Sequence, residues 1–342
     1  MDPCVREAGF WEPSEGGDVQ CFLCSHRCRI KPGKRGICRV RENREGKLYT
    51  LVYGRVAATG LDPVEKKPLY HFLPGSLTFS LATVGCNLDC SHCQNYSLSQ
   101  APGPPAKMPG SYVDPRGIVS EAMASGASSI SYTYSEPTIF MEYALDIMEM
   151  AHEEGLKNIF VTNGFMTPEA VKALDGLLDA ANVDLKGMTE DFYRKVCHAK
   201  LEPVLESIRN LKKIGVWVEV TTLVIPGYND SEEELDKIAG FIKSVDPEMP
   251  WHVTGFHPTY KMMDVEPTKS DILEKTRTKA LLSGLSYVYT GNRQSAQGAN
   301  TFCPGCKALL ISRQGFCIND FHIDRPNKCP SCGREIAGVF WR

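Results

Sequence analysis

The stretch TFSLATVGCNLDCSHC, residues 78–93, joins a short β-rich run to three closely spaced cysteines. Its first seven residues are rich in β-branched and apolar side chains, which predicts a buried strand. Cys86, Cys90 and Cys93 follow that strand directly. Three thiolates bind three irons of a [4Fe–4S] cube and leave the fourth iron open. The alternative is a structural zinc site that takes His92 as its fourth ligand.

Six further β-rich runs follow this strand, and amphipathic stretches lie between several of them. The runs are SISYTY (129–134), NIFVTN (158–163), NVDLKG (182–187), VWVEVTTLVI (216–225), WHVTGF (251–256) and YVYTGN (287–292). Thr167-Pro168 predicts an N-cap followed by proline at the first helical position, and Ser231 with Glu234 is a capping-box pattern. This alternation predicts an α/β fold of parallel βα units, as either a partial (βα) barrel or a doubly wound sheet.

Composition narrows the class of protein. The chain has 342 residues, 42% hydrophobic and 23% charged, with a formal net charge of −3, which gives no global reason to expect a nucleic-acid or membrane partner. No apolar run approaches the roughly 20 residues of a membrane span, and the N-terminus lacks the features of a signal peptide. We therefore expect a cytoplasmic protein, in which fourteen cysteines indicate metal binding rather than disulfides.

Two further cysteine clusters flank the β-rich region. Near the C-terminus, two Cys-Pro-x-Cys turns predict a closed tetrahedral zinc site, a zinc ribbon, formed by Cys303, Cys306, Cys329 and Cys332. Near the N-terminus, a segment of little periodicity predicts metal-held loops rather than a packed core, with the ligands Cys21, Cys24, Cys28 and Cys38. Their spacing fits zinc or an auxiliary [4Fe–4S] cluster, and the glycine-rich closed loop favours zinc. These boundaries predict a metal-binding segment at 1–50, a catalytic domain at 51–298 and a ribbon at 299–342.

Several motifs resemble radical S-adenosylmethionine (SAM) enzymes of the pyruvate formate-lyase-activating type. They are Cys86-x3-Cys90-x2-Cys93, Tyr134-Ser135-Glu136-Pro137, Thr162-Asn163-Gly164, Asp184-Leu185-Lys186, Ile225-Pro226-Gly227 and His257. The resemblance implies a partial (βα)6 TIM-like barrel whose [4Fe–4S] cluster binds SAM. It further implies SAM contacts from His92, Ser135, Glu136, Thr162, Asn163, Asp184, Lys186 and His257. Both glycines of the family's Gly-Gly-Glu-Pro turn are replaced here, by Tyr134 and Ser135.

A closer resemblance covers nearly the whole chain. The flanking cysteine clusters and the motifs CNLDCSHCQNY (86–96), SYTYSEPT (131–138), FVTNGF (160–165), VDLKG (183–187), PGYND (226–230) and FHP (256–258) are similar to the radical SAM member of the AmmeMemoRadiSam group. That resemblance implies a one-electron donor such as ferredoxin or flavodoxin, and AMMECR- or Memo-type protein partners.

The implied activity is reductive cleavage of SAM to a 5′-deoxyadenosyl radical, which abstracts hydrogen from a small molecule, a nucleic acid or a partner protein. Within that class, one alternative is an activating enzyme for a glycyl-radical enzyme. From another class, the alternative is a non-redox zinc scaffold or a nucleic-acid-binding protein.

Overall fold

The N-terminal fifty residues form two small antiparallel sheets, where the sequence predicted metal-held loops. The computed structural model describes residues 2–101, 103, 107–293, 295 and 297–341. The strands are β1 (Arg6–Glu7), β2 (Trp11–Pro13), β3 (Val19–Cys21), β4 (Arg29–Ile30), β5 (Arg41–Arg44) and β6 (Lys47–Thr50), in the orders β1-β6-β5 and β2-β3-β4. Buried Val19, Leu23, Val40 and Leu48 belong to the same apolar core as the central domain. The prediction of a segment without a packed core was therefore wrong.

The central sheet has eight strands. After β7 (Arg55–Val56), its members are β8 (Ala58–Pro63), β9 (Leu77–Ala82), β11 (Ser129–Tyr132), β12 (Lys157–Thr162), β13 (Ala180–Asp184), β14 (Trp217–Val224), β15 (Trp251–Gly255) and β16 (Val288–Gly291), while β10 (Ser111–Tyr112) pairs with β7. Strand β8 is antiparallel to β9, and the other seven run parallel in chain order across the sheet. A doubly wound sheet reverses its strand order at a switch point, so this order excludes that alternative. All seven β-rich runs of the sequence occupy these parallel strands.

Helices follow six of the parallel strands. They are α1 (Tyr96–Ser99), α2 (Pro115–Ala124), α3 (Met141–Glu153), α4 (Pro168–Lys172), α5 (Glu190–Phe192), α6 (Glu202–Lys213), α7 (Glu232–Val245) and α8 (Ser270–Leu282). Short 3₁₀ helices cover Glu15–Gly17, Val64–Lys66 and Pro137–Phe140, and a π-helix covers Tyr193–Cys197. Within the described residues, none of the helices is both long and apolar enough to span a bilayer.

The two predicted helix starts are confirmed by their capping geometry. The Thr167 hydroxyl accepts from the Ala170 amide ahead of Pro168, and the Ser231 hydroxyl accepts from the Glu234 amide. The Glu234 carboxylate turns away from its own cap and accepts from the Met188 amide at 2.5 Å, so only half of the capping box forms.

The C-terminal module packs against the amino end of the central sheet. Its strands are β17 (Thr301–Phe302), β18 (Leu309–Gln314) and β19 (Cys317–Phe321), all antiparallel. Leu310, Ile311 and Phe340 form a second apolar core with Tyr287 and Tyr289, which lie at the beginning of β16. The module therefore covers the amino end of the sheet and does not cover the carboxyl ends of the parallel strands.

Candidate active site

A cavity of about 330 Å³ lies at the carboxyl ends of the parallel strands, and all seven of these strands or the turns after them contribute to its wall. Parallel α/β folds place their active sites at this edge because every strand delivers its following loop there. The lining residues are Lys66, Pro68, Cys86, Cys90, His92, Cys93, Gln94, Asn95, Ser99, Thr133, Tyr134, Ser135, Glu136, Val161, Thr162, Asn163, Asp184, Lys186, Thr221, Leu223, Thr254 and Asn292.

The three central cysteines lie in the loop after β9, and hydrogen-bond donors point at their sulfurs. The Leu88 amide lies 3.3 Å from Cys86 Sγ, and Asn163 Nδ2 lies 3.6 Å from the same atom. Ser99 Oγ lies 3.2 Å from Cys93 Sγ. Burial and the nearby Glu136 raise the pKa of the Cys86 thiol well above its ordinary value. Donors around thiolates tune a bound metal cluster, so this surrounding fits a cluster ligand set.

Glu136 organises the wall of the cavity through four hydrogen bonds. Its Oε1 accepts from the Thr138 amide at 3.1 Å, the Thr138 hydroxyl at 2.5 Å and the Thr162 hydroxyl at 2.7 Å, and its Oε2 accepts from the Asn163 amide at 2.9 Å. Burial raises the pKa of Glu136, because these partners are neutral and offset only part of the desolvation. A carboxylate offers about four acceptor positions. Protein donors therefore crowd Oε1, whereas Oε2 accepts from the Asn163 amide alone and keeps one acceptor position.

Other polar atoms of the cavity wall have no partner. Ser135 Oγ, His92 Nδ1 and Thr221 Oγ1 are buried and make no hydrogen bond with the described residues. Burial lowers the pKa of His92 to about 3, so its ring is neutral and can accept as well as donate. An unpaired buried polar atom costs about 1–3 kcal/mol, which a polar ligand in the cavity would recover.

Asp184 and Lys186 form an ion pair beside the cysteines. Lys186 Nζ lies 2.7 Å from Asp184 Oδ2, with the lysine side chain 15% exposed. Burial opposes a charged lysine, yet Asp184 and the thiols of Cys90 and Cys197 hold the pKa of Lys186 well above its ordinary value. The pair therefore places a fixed positive charge next to Cys90.

His257 lies apart from the other predicted SAM contacts. It is exposed, does not line the cavity, and its ring nitrogens lie 2.5 Å and 3.1 Å from Arg293 Nη1. The Phe-His-Pro motif gave no indication of this neighbour, because Arg293 follows β16 and only the paired strands bring the two segments together.

Several lining residues were missed by the sequence analysis. Tyr134 adopts a left-handed backbone (φ 62°) at a position that the related motif fills with glycine, and its hydroxyl donates to Asp62 at 2.5 Å. Thr221 and Leu223 lie two residues apart on β14, so they share one face, but the apolar run alone does not show which face. Lys66 comes from the segment after the antiparallel β8, for which the sequence carries no signal.

The two flanking cysteine sets differ from this site and from each other. In the C-terminal set, Cys303 Sγ lies 3.6 Å from Cys332 Sγ, and Cys306 Sγ lies 3.6 Å from Cys329 Sγ. All four of these sulfurs lie within 4.8 Å of one another, which fits one metal ion. Cys21, Cys24, Cys28 and Cys38 instead line a small separate cavity.

Comparison with known proteins gives the family. Residues 80–239 match the family model described as the Radical SAM superfamily. The chain is 45% identical over 334 residues to an uncharacterized protein of Methanocaldococcus jannaschii, an alignment that covers 97% of this chain and 99% of that protein. Residues 80–239 therefore form a radical SAM domain. The chain is also 21% identical over 212 residues to pyruvate formate-lyase 1-activating enzyme of Escherichia coli K12, covering 56% of this chain and 84% of that enzyme.

Structural comparison agrees on the fold. A radical SAM methyltransferase from Sphaerobacter thermophilus superposes with a TM-score of 0.52 at 15% identity, over 70% of this chain and 71% of that one. Radical SAM proteins are enzymes that use SAM, an iron–sulfur cluster and an electron donor. This radical SAM protein is therefore an enzyme. That finding contradicts the alternative of a non-redox zinc scaffold.

Proposed function

We propose that this enzyme binds a [4Fe–4S] cluster through Cys86, Cys90 and Cys93, with SAM beside it, and generates a radical that abstracts hydrogen from a substrate still to be identified. The observation that carries the proposal is the convergence of these cysteines with polar residues from successive strand ends around one cavity. Its size, about 330 Å³, is within the range of small-molecule sites. When bound, the cluster and SAM supply reductive cleavage of SAM to a 5′-deoxyadenosyl radical.

The chain's own residues divide into ligand contacts and positioning groups. Ser135, His92 and Thr221 carry the unpartnered atoms, so we assign them to direct hydrogen bonds with SAM. Glu136 binds the Thr162 hydroxyl and the Asn163 amide, so we assign it to positioning that segment. Its Oε2 keeps one acceptor position, which we assign to the SAM ammonium.

The Asp184–Lys186 pair has an electrostatic role in this proposal. Its ammonium group lies next to Cys90 in a buried setting, where it offsets negative charge of cluster thiolates. Asp184 keeps the lysine charged despite its burial, since an isolated buried ammonium would lose its proton.

The finer architecture is part of the same proposal. We assign the seven parallel strands to a partial (βα)6 barrel, because they follow chain order and six of them are succeeded by helices. We assign the C-terminal set to a zinc ribbon on the strength of its two 3.6 Å sulfur pairs. The boundaries at 50 and 298, membership of the AmmeMemoRadiSam group, its AMMECR- or Memo-type partners and a cytoplasmic location stay predictions.

The test is anaerobic incubation of reconstituted enzyme with SAM and a one-electron reductant, followed by quantification of 5′-deoxyadenosine. We expect production by the wild type and none by C86A/C90A/C93A. The matched control is Cys317→Ala, which removes an exposed thiol outside all three cysteine sets. Equal production by the triple variant would overturn the assignment. Deuterium transfer from candidate substrates into 5′-deoxyadenosine then identifies the substrate class.

The second candidate function is activation of a glycyl-radical enzyme. The similarity to pyruvate formate-lyase 1-activating enzyme favours it. In that case a glycyl radical should appear in the electron paramagnetic resonance spectrum of a partner protein after incubation with the reduced enzyme and SAM. Deuterium transfer from a small molecule, with no protein radical, would decide against it.

A further inference from the structure

The two four-cysteine sets of this chain differ in how far apart their sulfurs lie. A single zinc ion holds four sulfurs at about 2.3 Å in a tetrahedron, which sets the sulfurs about 3.8 Å apart. The C-terminal set matches that geometry, with two pairs at 3.6 Å and all four sulfurs within 4.8 Å. The C-terminal set therefore shows the sulfur separations that this chain has at a site for one metal ion.

The N-terminal set does not match that reference. Among the described residues, the C-terminal set is the one group in which three or more cysteine, histidine or carboxylate ligands lie within 4.8 Å of one another. The four N-terminal thiols instead surround a small cavity, together with Leu23, Ile30 and Ile139. The trio assigned to the catalytic cluster also falls outside the 4.8 Å limit. A cube binds each cysteine through a different iron, so its sulfurs stand farther apart than those around one ion.

A buried cation faces the N-terminal thiols. Arg41 is 1% exposed, and its Nη1 donates to Cys21 Sγ at 3.6 Å. The guanidinium also pairs with Glu142, while its Nε has no partner within the described residues. Four thiolates carry more negative charge than a cube's core neutralises, so a buried arginine on the cavity wall stabilises such a group.

The N-terminal set lies directly against the loop of the catalytic cluster. His26 Nε2, between Cys24 and Cys28 in the sequence, lies 2.7 Å from the carbonyl oxygen of Asn87, the residue after Cys86. A Cβ on Gly85, the residue before Cys86, would lie 3.4 Å from the Cys38 carbonyl oxygen. The two cysteine sites are therefore neighbours through contacts on both sides of Cys86.

We infer that Cys21, Cys24, Cys28 and Cys38 bind a second [4Fe–4S] cluster, and that zinc occupies the C-terminal set alone. The glycine-rich loop favours zinc at the N-terminal set, but the separation of its sulfurs and its likeness in this respect to the catalytic trio outweigh that signal. All four positions of the second cluster are filled by protein thiolates, so it has no open iron for SAM.

Metal analysis of the anaerobically purified, reconstituted full chain tests this inference. We expect about eight irons and one zinc per wild-type chain, and about four irons and one zinc in C86A/C90A/C93A. The iron of that variant should give a reduced-cluster resonance that SAM does not perturb. A triple variant with no iron and about two zinc ions would overturn the inference. In that outcome, wild-type cleavage of SAM would leave the proposed function standing.

A second measurement covers the case in which the triple variant does not fold. The reduced wild-type enzyme should give about two spins per chain, with SAM altering the signal of one cluster and leaving the other unchanged. One spin per chain, fully converted by SAM, would contradict a second cluster. Cys317→Ala is again the matched control and should keep wild-type iron and zinc.

Discussion

Each end of the central sheet buries a glutamate carboxylate that makes four hydrogen bonds. The C-terminal module covers the amino end, whereas the cavity lies at the carboxyl end. At the amino end, Glu219 accepts from the Tyr70 amide at 3.0 Å, the His71 amide at 2.8 Å and Trp217 Nε1 at 3.0 Å, and lies 2.6 Å from His252 Nε2. At the carboxyl end, Glu136 is surrounded by amides and hydroxyls only. The electrostatic partners of the two carboxylates therefore differ.

Their pKa shifts follow from those partners. Burial opposes ionisation of Glu219, but the hydrogen bond and charge of His252 hold its pKa below the ordinary value. Burial raises the pKa of Glu136, which has no cationic partner in its hydrogen-bond set. Both ends also hold buried polar atoms without a partner among the described residues, such as Arg313 Nε at the amino end and Ser135 Oγ and Thr221 Oγ1 at the carboxyl end. Ser135 and Thr221 line the cavity and Arg313 does not, so position at the cavity, rather than burial or an unpaired atom alone, distinguishes the candidate site.

The largest expected effect is at the amino end, where Arg313 of the C-terminal module is fully buried. Its guanidinium donates to the Tyr70 carbonyl at 2.8 Å and the Thr301 hydroxyl at 2.8 Å, and its Nε lies 3.7 Å from Glu65 Oε1. Arg313→Met should lower the free energy of unfolding by about 3–5 kcal/mol, because it leaves the buried Glu65 uncompensated. Denaturant unfolding measures the loss, with the exposed Arg325→Met as control. Equal losses in both variants would show that the buried pair contributes nothing special.

Replacing each carboxylate by its amide separates the two ends. Glu219→Gln should lower the free energy of unfolding by about 1–3 kcal/mol. Both oxygens of Glu219 accept from N–H groups, so the new NH₂ group would face N–H donors in either orientation of the amide. The SAM affinity of Glu219→Gln should stay at the wild-type value. Glu136→Gln should cost less stability, since its amide oxygen can keep the three Oε1 donors, but should raise the SAM dissociation constant about tenfold (~1.4 kcal/mol). Denaturation and calorimetric titration of SAM measure the two effects. A loss of SAM affinity in Glu219→Gln would erase the distinction between the ends.

The raised pKa of Glu136 predicts a pH dependence with a definite sign. A carboxyl group whose pKa is higher in the folded state binds more protons when folded, so stability rises as pH falls toward the ordinary value of 4.5. Glutamine does not titrate. The stability of the wild type relative to Glu136→Gln should therefore increase between about pH 7 and pH 5, by at most ~1.4 kcal/mol per unit of pKa shift. Unfolding curves at several pH values measure it, and a difference that falls with acidification would contradict the shift.

The parallel strands could be predicted from the sequence because each one is encoded by residues that are consecutive in the chain. Each parallel strand is a continuous run of β-branched and apolar residues bounded by turn residues, and the caps at Thr167 and Ser231 depend on residues at most three positions away. Polar residues at or near the ends of these runs, such as Ser135 and Asp184, were predicted to contact SAM. The cavity does bring them together.

The remaining features depend on contacts between distant segments. Lys66 reaches the cavity from the edge of the sheet, and His257 contacts Arg293, which lies thirty-six residues further along the chain. The hydrogen bonding of Glu136 depends on Thr162, twenty-six residues away on another strand. The N-terminal sheets share the main core because Val40 packs beside Gly85, a contact that no local periodicity shows.

The smallest and sharpest effect concerns two serines on or beside β11. Ser135 Oγ and Ser129 Oγ are both buried without a partner among the described residues, but only Ser135 lines the cavity. Replacing either by alanine removes an unsatisfied hydroxyl, so the free energy of unfolding of the SAM-free protein should stay equal or rise. A neutral hydrogen bond contributes about 0.5–1.5 kcal/mol, so Ser135→Ala should raise the SAM dissociation constant roughly two- to tenfold. Ser129→Ala should leave it unchanged. Calorimetric titration of SAM into both reconstituted variants gives the answer: wild-type affinity in Ser135→Ala would remove this hydroxyl from the SAM site, and equal weakening in both would point to a general effect of loosening the strand.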